Sequence, residues 1–268
     1  MRPSIRLWKL LFGVVLALGL NGLLIPSANA GALQTRLEQF PHWISPPILT
    51  PAKGDLYYPN WMSGTWQVRS TLVDLAAPLA PRVITPGFEA SQKLLQKPVT
   101  FVVRFGPAPV ILESVGRSPF PVGTISPSKT QIVADRTYNG MSLATALLGQ
   151  DVVQSIKIDP RSPNRQIALF QNGQRLVTQI SDRGAETPSD SEFVSSELYQ
   201  QFFSSEAQVY LNQVENTIAY HLKSIDPPSI EADQVTAIYL SPQDPDYFKA
   251  KAQPVTLYRY RLQFEKKN

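Results

Sequence analysis

The chain has 268 residues, 25 basic against 21 acidic side chains, and no cysteine. Disulfides, thiolate metal centres, iron–sulfur clusters and cysteine nucleophiles are therefore excluded together. Three of the basic residues lie in the first ten positions, and the 22 that remain nearly balance the 21 acids, a charge pattern with no footprint for nucleic acid or an acidic membrane surface.

Residues 1–30 read as a cleavable export signal. Arg2, Arg6 and Lys9 form a positive start, Leu10 to Ile25 is almost wholly apolar, and Pro26 precedes the small-residue cleavage pattern Ala28-Asn29-Ala30. The apolar stretch, about 16 residues, falls short of the roughly 20 that a membrane-spanning helix needs. No twin-arginine pair is present, and no cysteine follows Ala30 to carry a lipid. The remaining chain, about 238 residues, is long enough to bury one substantial core.

Residues 31–63 form a lead-in segment. Leu33, Leu37 and Phe40 share one side of a short helix over Leu33–Phe40, and Pro41, Pro46, Pro47, Pro51 and Pro59 then hold the chain extended as a strap across the domain. From Gly64 to the C-terminus the pattern is β. Trp66, Val68 and Leu72 alternate with Gln67, Arg69 and Thr71. A long loop over 74–98 is punctuated by Pro78, Pro81 and Pro86-Gly87, and a loop of that length in a compact domain suggests a cover. Phe101, Val103 and Phe105 face one way in the next strand, and further strands are expected at 110–115, 131–138, 152–158, 166–171 and 174–182. Asn172-Gly173 marks a hairpin. A short helix is expected over Met141–Leu148, a loop over 182–192, and strands over 193–203, 207–223, 234–240 and 254–265. Nine or ten strands without βαβ alternation predict an all-β domain over 64–268: an antiparallel meander forming a barrel or sandwich, with one or two short helices.

No pattern of catalysis stands out. His42 and His221 lack partners at metal-ligand spacing, so no metal or cofactor is expected. Asp135, Glu192 and Glu197 are read as solvent-facing carboxylates scattered on strands, and no serine occupies a nucleophile elbow. Ser126-Pro127-Ser128-Lys129 has the S-x-x-K spacing, but Pro127 opposes the helix that chemistry requires. Aromatic residues concentrate in the first and last thirds. They are read first as cross-strand core pairs; the alternative is the lining of an apolar cavity.

Pro59-Asn60-Trp61-Met62-Ser63-Gly64-Thr65-Trp66 resembles the G-x-W start of lipocalin-type β-barrels. The resemblance implies structural roles for Gly64 and Trp66, with Arg259 or Arg261 of the last strand packing over the indole. A second resemblance rests on Gly54-Asp55-Leu56-Tyr57-Tyr58-Pro59, Ala77-Pro78-Leu79-Ala80-Pro81 and Thr85-Pro86-Gly87-Phe88-Glu89. These are similar to an uncharacterised family of oxygenic photosynthetic bacteria and plastids, which implies a thylakoid-lumen or periplasmic location and no known activity.

The reading that follows is a non-enzymatic, lipocalin-like, monomeric protein binding an apolar ligand such as a pigment, quinone or lipid. Phe88, Phe101, Phe105, Tyr220 and Tyr239 are the candidate lining residues. The alternative is an assembly or stability factor docking on a photosynthetic membrane complex. A bilin-lyase-like barrel is a third option, which export opposes.

Overall fold

The computed structural model describes residues 31–85, 87–108, 131–205 and 209–267. The expected leader, the 110–115 strand and the Ser126–Lys129 motif lie outside them. Helix α1 (Ala32–Glu38) and the strap lead through β1 (Thr50–Pro51) and a 3-10 turn to β2 (Gly64–Ala76), α2 (Phe88–Gln92), β3 (Pro98–Pro107) and β4 (Ile132–Ala134). Then come α3 (Arg136–Leu148), β5 (Val153–Asp159), β6 (Ser162–Phe170), β7 (Arg175–Ser189), β8 (Glu192–Ser204), β9 (Val209–Ile225), β10 (Pro228–Leu240), α4 (Tyr247–Ala250) and β11 (Thr256–Lys266).

The fold is all-β and barrel-like. Neighbouring strands run β4-β3-β2-β11-β10-β9-β8-β7-β6-β5, with β1 added beside β7. Every pairing between them is antiparallel. This is the order of an up-and-down barrel with a single unpaired seam, between β4 and β5. Helix α3 stands in that seam, packing on β3 from one side and β5 from the other. Its side chains satisfy the free backbone of β3: Asn139 accepts from Arg104 N at 2.6 Å and donates to Arg104 O at 3.0 Å, and Ser142 Oγ accepts from Val102 N at 2.9 Å. A covered edge cannot recruit a foreign strand. Gly140 lets the helix approach the other edge, since a Cβ there would lie 3.2 Å from Ile156 Cδ1 and 3.0 Å from Gln166 Nε2.

Four expected elements need correction. The strand expected over 131–138 stops at Ala134, and the helix begins at Arg136 rather than Met141, because Asp135 caps it by accepting from Tyr138 N at 3.0 Å. The 74–98 loop holds α2. The polar stretch expected as a loop over 182–192 is instead mostly the second half of β7, which continues to Ser189, with Arg183 buried and Thr187–Ser189 exposed. The hairpin at Asn172-Gly173 joins β6 to β7 as expected, Gly173 taking φ 79°.

Side-chain alternation divides the sheet into two faces. Trp66, Val68, Phe101, Val103, Phe105, Phe193, Ile218, Tyr220, Leu262 and Phe264 form one buried cluster in the concave interior, completed by Tyr58 of the strap. Tyr58 meets Phe105 edge to face at 4.8 Å and Tyr220 meets Phe264 so at 6.0 Å, while Phe193 stacks on Tyr220 at 6.1 Å. A second interior cluster contains Leu72, Ile180, Tyr199, Val214, Ile238 and Tyr258. On the convex face, Leu33, Leu37 and Trp43 pack on Val194, Ala219, Val235, Ala237 and Leu257.

Gly64 and Trp66 hold structural positions, but the cation over the indole is Lys266, 4.3 Å from the ring centroid, and neither Arg259 nor Arg261. The register explains this. Lys266 lies opposite Trp66, whereas Arg259 lies opposite Asp74, pairs with Asp233 and reaches the Phe40 ring on the convex side. Arg261 lies opposite Thr71. Gly64, at φ 108°, leaves room for the Lys266 ammonium, which a Cβ would meet at 2.5 Å.

Candidate functional site

The two interior clusters are separated by polar side chains that follow one row across the sheet. Thr236 of β10 pairs in register with Asn216 of β9, Asn216 with Glu197 of β8, and Glu197 with Arg183 of β7. Thr236 Oγ1 donates to Asn216 Oδ1 at 3.0 Å, and Gln234 Nε2 donates to Thr236 Oγ1 at 3.1 Å. Arg183 Nε donates to Glu197 Oε1 at 2.6 Å, and another of its nitrogens to Asn164 Oδ1 of β6 at 3.1 Å. The result is a polar belt through an otherwise apolar interior. Buried polar groups are tolerated only when bonded, which makes each member's partners informative.

The charged end of the belt is closed by the strap. Arg183 donates to Gly54 O at 3.1 Å, and Asn164 Nδ2 to Ala52 O at 3.1 Å, while Thr50 and Pro51 pair with Arg183 and Asp182. Arg136, at the start of α3, is 5 % exposed and donates through one terminal nitrogen to Pro163 O. Burial lowers its pKa, opposed first by the Glu197 charge. Burial likewise raises the Asp55 carboxyl, opposed by Arg136 and Arg183. Tyr58 and Tyr220 stay protonated far into alkali, chiefly through burial.

The other end of the belt lines a cleft. Ser70, Gln234, Thr236, Tyr260 and Lys97 share the lining of a cavity of about 70 Å³ with Leu72, Leu94, Val99, Phe101, Leu143, Leu147 and Leu262. A second void of about 20 Å³ adjoins Phe101, Phe105, Asn216, Tyr220, Gln234 and Leu262. Phe101, Gln234 and Leu262 line both spaces.

Of the candidate lining residues, the structure brings together Phe101, which lines both spaces, and Phe105 and Tyr220, which line the smaller one. Phe88 begins α2, whose Ser91 reaches the cleft wall. Tyr239 lies on the opposite face, where its hydroxyl donates to Glu215 at 2.7 Å. Sequence reasoning missed Glu197, Arg183, Arg136, Asn164 and Asn216. Asp135 is the α3 cap, and Glu192 lies in a surface pair with His221 at 3.2 Å. Among the described residues no group of three His, Asp or Glu side chains is placed to hold a metal ion, and no helix is long and apolar enough to cross a membrane.

A curled antiparallel sheet with α3 at its open seam, a polar belt and a small cleft define an all-β, barrel-like protein. Residues 50–268 match the model of a domain of unknown function, DUF6816, and the chain belongs to that family. No curated protein and no solved structure matches it.

Proposed function

We propose that this is a non-enzymatic binding protein for a slender apolar ligand, a lipid or a prenyl-like chain, acting after export in the thylakoid lumen or periplasm. The cleft carries this reading: Leu72, Leu94, Val99, Phe101, Leu143, Leu147 and Leu262 offer an apolar wall beside a few polar groups, the usual composition of a ligand site. Its volume, about 70 Å³, has room only for the tip of a chain, so most of such a ligand would lie outside the cleft. The leader pattern in residues 1–30 and the resemblance to a photosynthetic family support the location. The test is native mass spectrometry and an absorption spectrum of protein isolated from its host. A stoichiometric colourless lipid mass is the expected result, and a bare polypeptide mass opposes the reading.

A second reading, an assembly or stability factor for a photosynthetic membrane complex, is favoured by Ile44 and Ile48, which stand exposed on the strap. Replacing both with serine should abolish co-purification with that complex if they dock it. Unchanged co-purification opposes this role.

A further inference from the structure

We propose that the end of the sheet capped by residues 77–97 and 241–255 docks on a membrane, laying Phe248, Leu95 and Ile84 into a bilayer whose anionic head groups meet Arg82, Lys93, Lys97, Lys249 and Lys251.

The topology brings these two connections together. Residues 77–97 join β2 to β3 and residues 241–255 join β10 to β11, and Ala76 at the end of β2 pairs with Leu257 near the start of β11. Both connections cover the second interior cluster. Leu79, Val83, Ala250 and Val255 are buried in it, and Leu94 and Tyr247 pack against it. The Thr85 and Thr256 hydroxyls meet at 2.8 Å and tie the two covers to each other. Their inner sides are therefore spent on the core. Their outer side is apolar and basic. Phe248, next to Tyr247 in α4, is 84 % exposed, with Ile84 at 45 % and Leu95 at 39 %. Arg82, Lys93, Lys97, Lys249 and Lys251 are all exposed around them in the same two segments. Large apolar side chains set among lysines and arginines are the composition of a surface that enters the head-group region of a bilayer.

Charge selects the kind of bilayer. Against those five bases the described residues of the two connections hold three acids, Glu89, Asp244 and Asp246. Asp246 is already paired with Lys249 at 2.6 Å, and Glu89 alone of the three is fully exposed. The hairpins at the opposite end, 159–162, 189–192 and 225–228, carry Asp159, Asp190, Glu192 and Asp226 against Arg161, with Lys266 and Lys267 beside them. The near-neutral total of the chain thus conceals a basic excess at the end where apolar side chains protrude, which complements an anionic lipid surface. Leu94 and Lys97 also line the cleft. Docking brings that wall against the bilayer, so the part of a chain that the cleft has no room for can stay among lipids.

The experiment is co-sedimentation of the exported protein, isolated from its host without residues 1–30, with vesicles of phosphatidylcholine alone or mixed equally with phosphatidylglycerol. Binding should be at least about tenfold stronger on the mixed vesicles and should be lost in about 0.5 M salt. Phe248→Ser should weaken it about tenfold, as expected when one phenyl ring is withheld from an apolar phase. Arg82→Gln combined with Lys93→Gln should weaken it about tenfold or more on mixed vesicles alone. Ile225→Ser, at a position 80 % exposed on the opposite end, should leave binding unchanged. Every substituted side chain is exposed, and circular dichroism checks that each variant folds. No binding to mixed vesicles, binding that survives Phe248→Ser, or an equal loss with Ile225→Ser overturns the docking surface. Self-association that Phe248→Ser abolishes overturns it too, by assigning the face to a second copy of the chain. Docking needs no ligand in the cleft, so none of these outcomes decides the cleft reading, which the bound lipid mass tests separately.

Discussion

Among the described residues, Glu215 on the convex face accepts four hydrogen bonds, whereas Glu197 on the concave face of the neighbouring strand accepts one. Arg36 of α1 reaches both Glu215 oxygens, at 2.5 and 2.7 Å, Tyr239 donates to Oε2 at 2.7 Å, and Thr217 donates to Oε1 at 2.9 Å. Arg36 also stacks on Trp43 at 4.0 Å, and Trp43 Nε1 returns a bond to Arg36 O at 2.7 Å. That pair fastens α1 and the start of the strap to the sheet and has no capacity left. The Arg183–Glu197 pair is just as buried but keeps free capacity beside Arg136 and Tyr199. The same two residue types thus build a rivet on one face and an unsaturated site on the other. What separates them is how fully their neighbours satisfy them, not their charge or burial.

The sharpest way to break this comparison is one substitution on each side. Glu215→Gln places an amide against Arg36, Tyr239 and Thr217, and should cost about 3–5 kcal/mol in urea unfolding, the usual loss when one partner of a buried ion pair is removed. Glu197→Gln should cost less, about 1.5–3 kcal/mol, because only the one charged hydrogen bond from Arg183 is weakened there. Equal losses would show that both pairs are rivets. The tyrosines give a finer contrast. Tyr239→Phe strips a bond from a charged acceptor and should destabilise by about 1.5–3 kcal/mol, whereas Tyr199→Phe removes an unpartnered hydroxyl and should leave stability unchanged or slightly higher.

Protonation tests the comparison more gently. Seven of the ten tyrosines have phenols raised chiefly by burial. An acid raised in the folded state is ionised more readily when unfolded, so stability should fall as pH climbs past the ordinary phenol value near 10. Absorbance at 295 nm should show these phenols ionising only together with unfolding. The smallest effect concerns Asp55, whose carboxyl is also raised by burial. The folded state takes up its proton first, so acidification from neutrality through the raised value should add a little stability, down to the ordinary carboxyl range. Asp55→Asn should abolish that increment, seen as a flatter urea midpoint between pH 7 and 4.

Much of the architecture was legible in residue order. The alternation of Phe101, Val103 and Phe105, the Asn172-Gly173 turn and the prolines of the strap each led to the right local structure, because in each case a local cause dominates. The belt was not legible, for a physical reason. From Phe193 to Tyr199 and from Val214 to Tyr220 every residue is buried, since α1 and Trp43 cover the face that a simple barrel leaves to solvent. Where both faces are covered, alternation no longer tells inward from outward, and Glu197 reads like any surface carboxylate. Inward polar positions at the same height on successive strands, Glu197, Asn216 and Thr236, were the signal, but register alone reveals them. Arg136 was hidden by the misplaced start of α3.

The chain's first long strand, β2, finds its partner in the last, β11, with Trp66 beside Lys266. The two ribbons β2–β4 and β5–β10 therefore have no strand pairing with each other until β11 is in place. Closure of so long a loop carries a large entropic cost before any contact offsets it. Slow folding should result, with the assembled sheet behaving as one cooperative unit whose integrity depends on its final eleven-residue strand.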